Sequence, residues 1–285
     1  MSTPSATPRP SASEQRDQIA FIGGGNMASA IIGGLIKEGI PASRIEVIEP
    51  FAEARERLDV QFGIAAEAAP GPVLEGAGLV VWAVKPQTFK EAALQAQPYT
   101  RHALHLSVAA GIRSDSIAQW LGTDAVVRTM PNTPALVGKG MAALFARPGV
   151  SAEGRELVER VIATTGEYLW VDQEDQLDAV TALSGSGPAY VFYFLEAMTE
   201  AGIAMGLSRD QAHRLAVGTF VGAAELARTS TETPEVLRQR VTSKGGTTYA
   251  ALTSMENDDV KTLFMRALHA ARQRASELGN EFGAG

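Results

Sequence analysis

The sequence predicts an α/β protein in which an N-terminal domain with a mostly parallel sheet precedes an all-helical C-terminal domain. The first observation is an alternation of short apolar runs with helix-like stretches from residue 19 to about residue 171, which is typical of a parallel sheet covered by helices. The second is a glycine-rich turn, GGG at 23–25, between the first apolar run and the first helix-like stretch. The third is the loss of strand signals after about residue 172, which predicts that the remaining segments are helices.

Seven apolar runs are predicted to form the strands of the sheet. They lie at 19–22, 45–48, 79–84, 103–108, 125–130, 141–146 and 167–171. Short apolar runs bounded by turn residues are consistent with strands that are buried on both faces. We therefore place the sheet domain at residues 18–172 and the helical domain at residues 173–285.

The helical domain carries clear helix boundaries. Pro188 suits the first position of a long helix that stops before Gly206. Ser208 and Gln211 form a capping box for the next helix, and another helix is predicted at about 257–278. The first of these helices is apolar nearly all round and must be buried on most sides. A domain of about 110 residues has limited interior, so we expect a second copy of the chain to cover it, the alternative being a central helix of a monomeric bundle.

Composition narrows the classes of function. The chain has 285 residues, a net charge of -7 and no dense stripe of Lys and Arg, which argues against a nucleic-acid partner. It contains no cysteine, which excludes disulfides and a cysteine nucleophile. Its four histidines lack the spacing of metal ligands, so no metal site is expected.

Two segments bear on targeting. Residues 1–17 are rich in Ser, Thr, Pro and Ala without an apolar core, which predicts a disordered tail rather than a secretory signal or a transit peptide. The uncharged stretch at 19–36 is long enough to cross a membrane, but glycines and Asn26 interrupt it, so a buried strand, turn and helix explain it better. We expect a cytoplasmic protein without a membrane partner.

The glycine-rich turn matches a dinucleotide-binding fingerprint of the Rossmann type. Gly23, Gly25 and Ala28 occupy the three positions of G-x-G-x-x-G/A, directly after a strand and at the start of a helix. The first glycine makes the tight turn, and the second lets the backbone approach a pyrophosphate. The phosphates would then bind to free N–H groups near Asn26 and Met27. The alternative is a glycine turn that binds no ligand.

Glu49 ends the second predicted strand at a spacing that suits a carboxylate bonded to the adenosine ribose. Such a carboxylate binds a 2′-hydroxyl and repels a 2′-phosphate, which favours NADH over NADPH. Arg55 and Arg57 follow closely and either could approach a 2′-phosphate. We prefer the alternative that both belong to a solvated helix face.

Further candidates follow other strands, at the edge where such sheets bind ligands. Ala83, Lys85 and Pro86 lie in AVKPQ, and Lys85 is either a contact to the cofactor or a surface lysine. Ala110 lies in SVAAGI. Asn132 lies in RTMPNTP, between two prolines that stiffen the loop. It either contacts the cofactor or is present only because asparagine favours turns.

A glycine pair near the end of the chain interrupts helix-friendly sequence in VTSKGGTTYAAL, residues 241–252. Two glycines are unfavourable inside a helix, so this segment is predicted to need bare backbone, hydroxyl groups or both. Residue types alone leave two interpretations open. One is a plain helix cap, and the other is an anion site made by backbone N–H groups at a helix start.

With these motifs assembled, the chain resembles the pyrroline-5-carboxylate reductase family. The stretches that carry the resemblance are FIGGGNMASAII, AVKPQ, SVAAGI, RTMPNTPALV, DAVTALSGSGPAY, AGIAMGLSRDQA and VTSKGGTTYAAL. They cover about residues 20–275. The resemblance implies reduction of Δ1-pyrroline-5-carboxylate to L-proline with NADPH or NADH as cofactor. It also implies a Rossmann domain followed by a helical domain that interlocks with its twin, in a homodimer that assembles further, up to a decamer.

The resemblance also implies roles in the glycine-pair segment. Ser243, Gly245, Gly246 and Thr247 would bind the substrate carboxylate. Thr248 falls at the catalytic position, where its hydroxyl lies near the ring nitrogen of the substrate and orients it. The sequence departs from the family at 66–72, AEAAPGP, where an asparagine near the ribose is often found.

Two rival functions share parts of this pattern. One is another imine or β-hydroxyacid reductase, which would place a catalytic lysine or acid on a helix of the second domain. The second half of the chain holds only Lys244 and Lys261, and neither suits that role. The other rival is a non-catalytic dinucleotide sensor, which would keep the glycine turn but would not need an anion site.

Overall fold

A computed structural model of the chain describes residues 18–283, so the tail predicted at 1–17 lies outside the described residues. Its seven strands form one sheet in the order β2-β1-β3-β4-β5-β6-β7. Neighbouring strands are parallel except for β5 and β6, which are antiparallel. The strands are β1 (Gln18–Ile22), β2 (Ile45–Ile48), β3 (Ala77–Trp82), β4 (Leu104–Ser107), β5 (Val126–Met130), β6 (Gly140–Ala146) and β7 (Gly166–Trp170). The predicted mostly parallel sheet is confirmed.

Helices cover the two faces of this sheet. They are α1 (Asn26–Lys37), α2 (Ala52–Phe62), α3 (Pro86–Thr100), α4 (Ser114–Leu121), α5 (Ala152–Ala163) and α6 (Gln176–Val180). Side chains alternate along each strand, so Ile19 and Phe21 belong to one buried cluster while Ala20 and Ile22 belong to another. Burial on both faces explains why the strands are continuous apolar runs in the sequence.

The second half contains the predicted run of helices. They are α7 (Gly187–Ala204), α8 (Arg209–Thr229), α9 (Pro234–Arg240), α10 (Thr247–Asn257) and α11 (Val260–Gly283). The capping box of Ser208 and Gln211 is present at the start of α8, as predicted. The last helix begins later than predicted because helical structure is interrupted between α10 and α11, where Asp259 adopts a positive φ of 52°.

The described residues form two compact units, and their limits differ from the predicted domain limits. The first unit extends to Gly185 and also takes in α11 from Arg272 onward, while the second comprises Ser186–Ala271. The first unit continues past residue 172 because α6 packs against β5 and β6. The end of α11 joins it because Phe282 packs against one of the buried clusters of the sheet, and Arg113 Nη2 donates to Asn280 Oδ1 at 3.4 Å.

An ion pair between a buried arginine and a partly buried glutamate links three parts of the first unit. Arg128 on β5 is almost fully buried, and its Nη1 lies 3.0 Å from Glu174 Oε1. The same carboxylate accepts a hydrogen bond from the backbone N–H of Ser114, at 2.6 Å, at the start of α4. Because an unpaired charge is costly inside a protein, this pair holds β5, α4 and the segment after β7 in one arrangement.

A second buried polar pair involves a histidine. Trp82 Nε1 donates to His105 Nδ1 at 3.1 Å, and both side chains are fully buried. Burial lowers the pKa of His105 from 6.5 to about 4, since the interior disfavours the charged imidazolium. The fold therefore holds this histidine in its neutral form at neutral pH.

The lowered pKa of His105 predicts that the folded protein loses stability in mild acid. Its pKa is lower in the folded state than in the unfolded state, so its contribution is present above about pH 6.5 and is lost as the pH falls toward 4. We expect the free energy of unfolding to fall by about 3 kcal/mol across that range from this group. Urea unfolding at pH 7 and pH 4.5 measures the change. His105→Gln should flatten the pH dependence, whereas His102→Gln, at an exposed position, should leave it intact; equal slopes in both variants would contradict the assignment.

No helix within residues 18–283 is both long enough and apolar enough to cross a membrane.

Candidate functional site

The strand order creates a ligand-binding edge beside β1. The chain leaves β1 to form β2 on one side and later returns to form β3 on the other side. Ligands of open α/β sheets bind at such a switch point, outside the carboxyl ends of the strands. The glycine turn follows β1 at this edge, and the AVKPQ segment follows β3.

Gly23 makes the first turn possible. Its φ is 96°, and its N–H donates to Ile48 O at 2.8 Å. A Cβ at this position would lie 2.6 Å from Ala83 O, closer than any real contact. The turn therefore packs directly on the backbone that follows β3, and a glycine is required there.

Gly25 leaves the start of α1 open. It is the N-cap of that helix, and within the described residues no side chain caps it. A Cβ added to Gly25 would meet nothing within 4 Å, and Asn26 beside it is exposed. The N–H groups of Asn26 and Met27 precede the first helical hydrogen bond, from Ser29 N to Gly25 O. An open helix start of this kind fits a pyrophosphate, so the residues suit a dinucleotide.

Glu49 lies beneath this turn and is only 6% exposed. Its Oε2 accepts a hydrogen bond from Gly24 N at 2.7 Å, and its Oε1 accepts one from Phe51 N at 3.0 Å. The carboxylate therefore links the glycine turn to the end of β2. The sequence indicated the position of Glu49 but not that both oxygens are engaged by backbone.

Arg55 differs from the solvated helix face that the sequence favoured. It is half-buried, and its Nη1 donates to Glu49 O at 2.9 Å and to Pro50 O at 2.8 Å. Arg57 is exposed, as predicted. The preference for a solvated side chain was thus wrong for Arg55, because two carbonyls at the end of β2 hold its guanidinium.

The other predicted cofactor residues near β3 and β4 lie at the same edge. Lys85 is the N-cap of α3 and is exposed, and Pro86 is the first residue of that helix. Ala83 and Ala110 are half-buried at the ends of β3 and β4. Small residues beside an exposed lysine leave room at this edge for a ligand.

The side chain of Asn132 links its loop to β6 and to a turn much later in the chain. Its Oδ1 accepts a hydrogen bond from Met141 N at 3.0 Å, and its Nδ2 donates to Ser184 O and Oγ at 3.2 and 3.1 Å. Ser184 lies in a π-helical turn, Thr181–Gly185, and its hydroxyl also donates to Met141 O. Ser184 was not among the predicted site residues, although the SGSG motif that begins with it indicated an unusual backbone conformation.

The glycine pair in the second unit shapes a tight turn before α10. Gly246 N donates to Ser243 O at 3.0 Å, and Gly245 has a φ of 76°. A Cβ on Gly246 would lie 2.6 Å from Ser243 Oγ, so the hydroxyl rests against the bare backbone. Gly246 was predicted to bind the substrate carboxylate, but its N–H is already used by this turn.

The open N–H groups belong instead to the first turn of α10. The first helical hydrogen bond runs from Ala250 N to Gly246 O, so the N–H groups of Thr247, Thr248 and Tyr249 lack a helical acceptor. Within the described residues, no side chain caps this helix. Thr248 is half-buried on the same turn. A helix start with these donors favours a carboxylate.

The described part of the chain contains no cluster of His, Asp and Glu side chains that could hold a metal ion.

Two protein-family models match the chain. Residues 174–278 match the model described as pyrroline-5-carboxylate reductase dimerisation. Residues 18–111 match the model described as NADP oxidoreductase, coenzyme F420-dependent. The two matches divide between the sheet and the helical part of the chain.

Curated relatives match nearly the whole chain. The pyrroline-5-carboxylate reductase of Pseudomonas aeruginosa is 44% identical over 268 residues, which cover 93% of this chain and 98% of that protein. The enzyme of the same name from Haemophilus influenzae is 41% identical, with coverage of 94% and 100%.

Solved structures of enzymes with the same or a similar name also superpose on the chain. A pyrroline-5-carboxylate reductase from Coxiella burnetii superposes with a TM-score of 0.85 at 38% identity, covering 92% of this chain and 98% of that one. A pyrroline carboxylate reductase from Plasmodium falciparum, solved with NADP bound, superposes with a TM-score of 0.84 at 26% identity, covering 93% and 99%.

Proposed function

The chain belongs to the pyrroline-5-carboxylate reductase family, and we propose that it catalyses the NAD(P)H-dependent reduction of Δ1-pyrroline-5-carboxylate to L-proline. The observation that carries this proposal is a pair of uncapped helix starts. One lies behind the G-x-G turn in the first unit, and the other lies behind the glycine pair in the second. Each is suited to an anionic group, and the two anions are those of a dinucleotide and an amino-acid-like substrate.

The first unit binds the cofactor. The N–H groups of Asn26 and Met27 bind the pyrophosphate, which the bare backbone of Gly25 allows to approach closely, while Gly23 holds the turn against β3. When bound, the reduced nicotinamide supplies a hydride to the imine carbon, which becomes C5 of proline. The remaining residues that border the cofactor are Glu49, Ala83, Lys85, Pro86, Ala110 and Asn132.

The second unit binds the substrate carboxylate. The first turn of α10 offers backbone donors, and the hydroxyls of Ser243 and Thr247 add side-chain donors. Gly245 supplies the left-handed backbone that this turn needs, and Gly246 supplies the space for the serine hydroxyl. Binding the carboxylate fixes the ring, which is the positioning that hydride transfer requires.

Thr248 orients the ring nitrogen of the substrate. A C=N bond accepts a hydride best when its nitrogen is protonated or hydrogen-bonded. A cyclic imine is basic enough to take its proton from water near neutral pH, so the segment needs no histidine or lysine as a strong acid. The hydroxyl then polarises and aligns the nitrogen.

We further propose a homo-oligomer built from interlocked dimers, which assemble into a decamer. The support is an apolar surface on the helices of the second unit. On α7, Phe192 and Tyr193 are 63% and 70% exposed, and on α8, Val221 and Leu226 are also well exposed. Apolar patches of this kind mark interaction sites.

Placing a charge on this surface is expected to separate the subunits. Phe192→Glu would require a carboxylate to be buried without a partner, which should raise the dimer Kd by at least about 100-fold. Sedimentation velocity over a range of concentrations measures the shift. Val60→Glu, at a residue 83% exposed on α2, is the matched control. A Phe192→Glu protein with the mass of the wild type at low concentration would contradict the proposed interface.

The function is tested by an initial-rate assay on the purified chain. Pyrroline-5-carboxylate is mixed with NADPH or NADH, and both cofactor oxidation and proline formation are followed. We expect proline to form in a one-to-one ratio with oxidised cofactor. Folded, oligomeric protein that forms no proline with either cofactor would overturn the proposal.

A further inference from the structure

We propose that Asn132 and Ser184 are positioning residues for hydride transfer. Their side chains fix the backbone beside the nicotinamide and act through that backbone rather than by touching the reacting atoms. The inference rests on the proposed function and deepens it, since it concerns the nicotinamide end of the same cofactor site. It also gives a role to the SGSG motif at 184–187.

The loop that carries Asn132 lies on the nicotinamide side of the sheet edge. The strand order β2-β1-β3-β4-β5 places the glycine turn at the switch point between two halves of the sheet. A dinucleotide lies across such a point, with its adenosine beyond β2 and its nicotinamide beyond the strands on the other side. Because β5 is parallel to β4, its carboxyl end reaches the same edge, and Asn132 follows that end by two residues.

A closed ring of hydrogen bonds joins this loop to two other segments. Asn132 Nδ2 donates to Ser184 O at 3.2 Å and to Ser184 Oγ at 3.1 Å. The Ser184 hydroxyl donates to Met141 O at 3.1 Å, and Met141 N donates to Asn132 Oδ1 at 3.0 Å. The ring therefore connects the loop after β5, the start of β6 and the turn at Thr181–Gly185.

The turn that this ring holds has an unusual backbone. Thr181–Gly185 is π-helical, and such turns are rare and frequently lie at functional sites. A Cβ on Gly185 would overlap Met130 Cε, at the end of β5, so no side chain fits between the turn and Met130. The ring and this close approach together set the position of the turn at the nicotinamide side of the edge.

Hydride transfer is sensitive to such positioning. The two carbons that exchange the hydride must approach to about 3–3.5 Å, and a misplacement of about 1 Å can cost about 100-fold in rate. A loosened turn would let the nicotinamide move, while the donors at the starts of α1 and α10 would still bind the two anions. Breaking the ring should therefore lower kcat and leave KM nearly unchanged.

The test uses three variants of the ring and one control. Ser184→Ala removes the hydroxyl, and Ser184→Thr keeps it. Asn132→Asp keeps an acceptor for Met141 N but has no hydrogen to donate to Ser184. Ser151→Ala is the matched control, because its hydroxyl accepts a hydrogen bond from Gly154 N at 3.1 Å at the start of α5, which follows the opposite end of β6.

Steady-state kinetics are measured with reduced cofactor that carries hydrogen or deuterium at C4. We expect Ser184→Ala and Asn132→Asp to lower kcat about 10- to 100-fold, with KM values within about threefold of those of the wild type. Their isotope effect on kcat should be at least as large as that of the wild type, because hydride transfer then limits the rate. Ser184→Thr should recover most of kcat, and Ser151→Ala should match the wild type.

A second measurement needs no turnover. The fluorescence decay of the bound reduced cofactor reports how firmly the nicotinamide is held. We expect a shorter decay in Ser184→Ala and Asn132→Asp than in the wild type, and an unchanged decay in Ser151→Ala.

Two results overturn the inference. One is a folded Ser184→Ala or Asn132→Asp enzyme with wild-type kcat. The other is an equal loss of kcat in Ser184→Ala and Ser151→Ala, which would reflect a general loss of stability. A wild type that forms proline at the same rate as Ser184→Ala overturns the positioning role alone. A wild type that binds the cofactor and forms no proline overturns the reductase function, and the fluorescence comparison then still decides whether the ring holds the nicotinamide.

Discussion

Thr248→Ala is expected to lower kcat/KM for reduction of pyrroline-5-carboxylate about 10- to 1000-fold, the range for loss of one well-placed hydrogen-bond donor. Thr248 lies on the first turn of α10, beside backbone N–H groups that have no helical acceptor. The variant keeps the backbone and these donors, so carboxylate binding should persist. The loss should therefore fall mainly on kcat rather than on KM.

Two further variants make this result specific. Thr248→Ser keeps the hydroxyl and should recover most of the rate. Thr253→Ala removes a threonine from the middle of the same helix and should leave the rate close to that of the wild type. Steady-state kinetics at saturating cofactor give all values. Wild-type kcat/KM in Thr248→Ala would remove Thr248 from the catalytic role.

Gly23→Ala is expected to abolish cofactor binding and to lower the free energy of unfolding by about 3–5 kcal/mol. Two costs combine at this position. The φ of 96° is unfavourable for any residue with a Cβ, and that Cβ would lie 2.6 Å from Ala83 O. The backbone of the turn or of the segment after β3 would have to move, which displaces the start of α1 that binds the pyrophosphate.

Gly39→Ala separates these two costs. Gly39 has nearly the same φ, 95°, but a Cβ there meets nothing within 4 Å. The free energy of unfolding of Gly39→Ala should fall by only about 1–2 kcal/mol, the cost of the left-handed backbone. This variant should bind NADPH normally. Urea unfolding and calorimetric titration with NADPH provide both values. Equal losses in the two variants would show that the contact with Ala83 is unimportant.

The fold was predictable because most of its signals are local. The apolar runs that form β1 to β7 and the capping box of Ser208 and Gln211 are each contained within a few residues. The same holds for the G-x-G turn, whose strand and helix are its immediate neighbours. Local patterns fix elements and their order, and the order of elements restricts the topology.

The features that the sequence did not reveal depend on contacts between distant segments. The carboxamide of Asn132 is bonded to Ser184, which lies far along the chain, and no motif around Asn132 predicts that bond. Arg55 looked solvated because its acceptors are backbone carbonyls, which no side-chain pattern records. The first unit ends at Gly185 rather than near residue 172 because α6 packs back on the sheet.

The most direct test of the reductase assignment follows the hydrogen atom itself. The chain is incubated with pyrroline-5-carboxylate and reduced cofactor carrying deuterium at both C4 positions of the nicotinamide, and the proline is analysed by mass spectrometry and NMR. The expected result is L-proline with a single deuterium at C5, in an amount equal to the cofactor oxidised. Proline without deuterium, deuterium at another carbon, or no proline from folded protein would contradict hydride transfer to the imine.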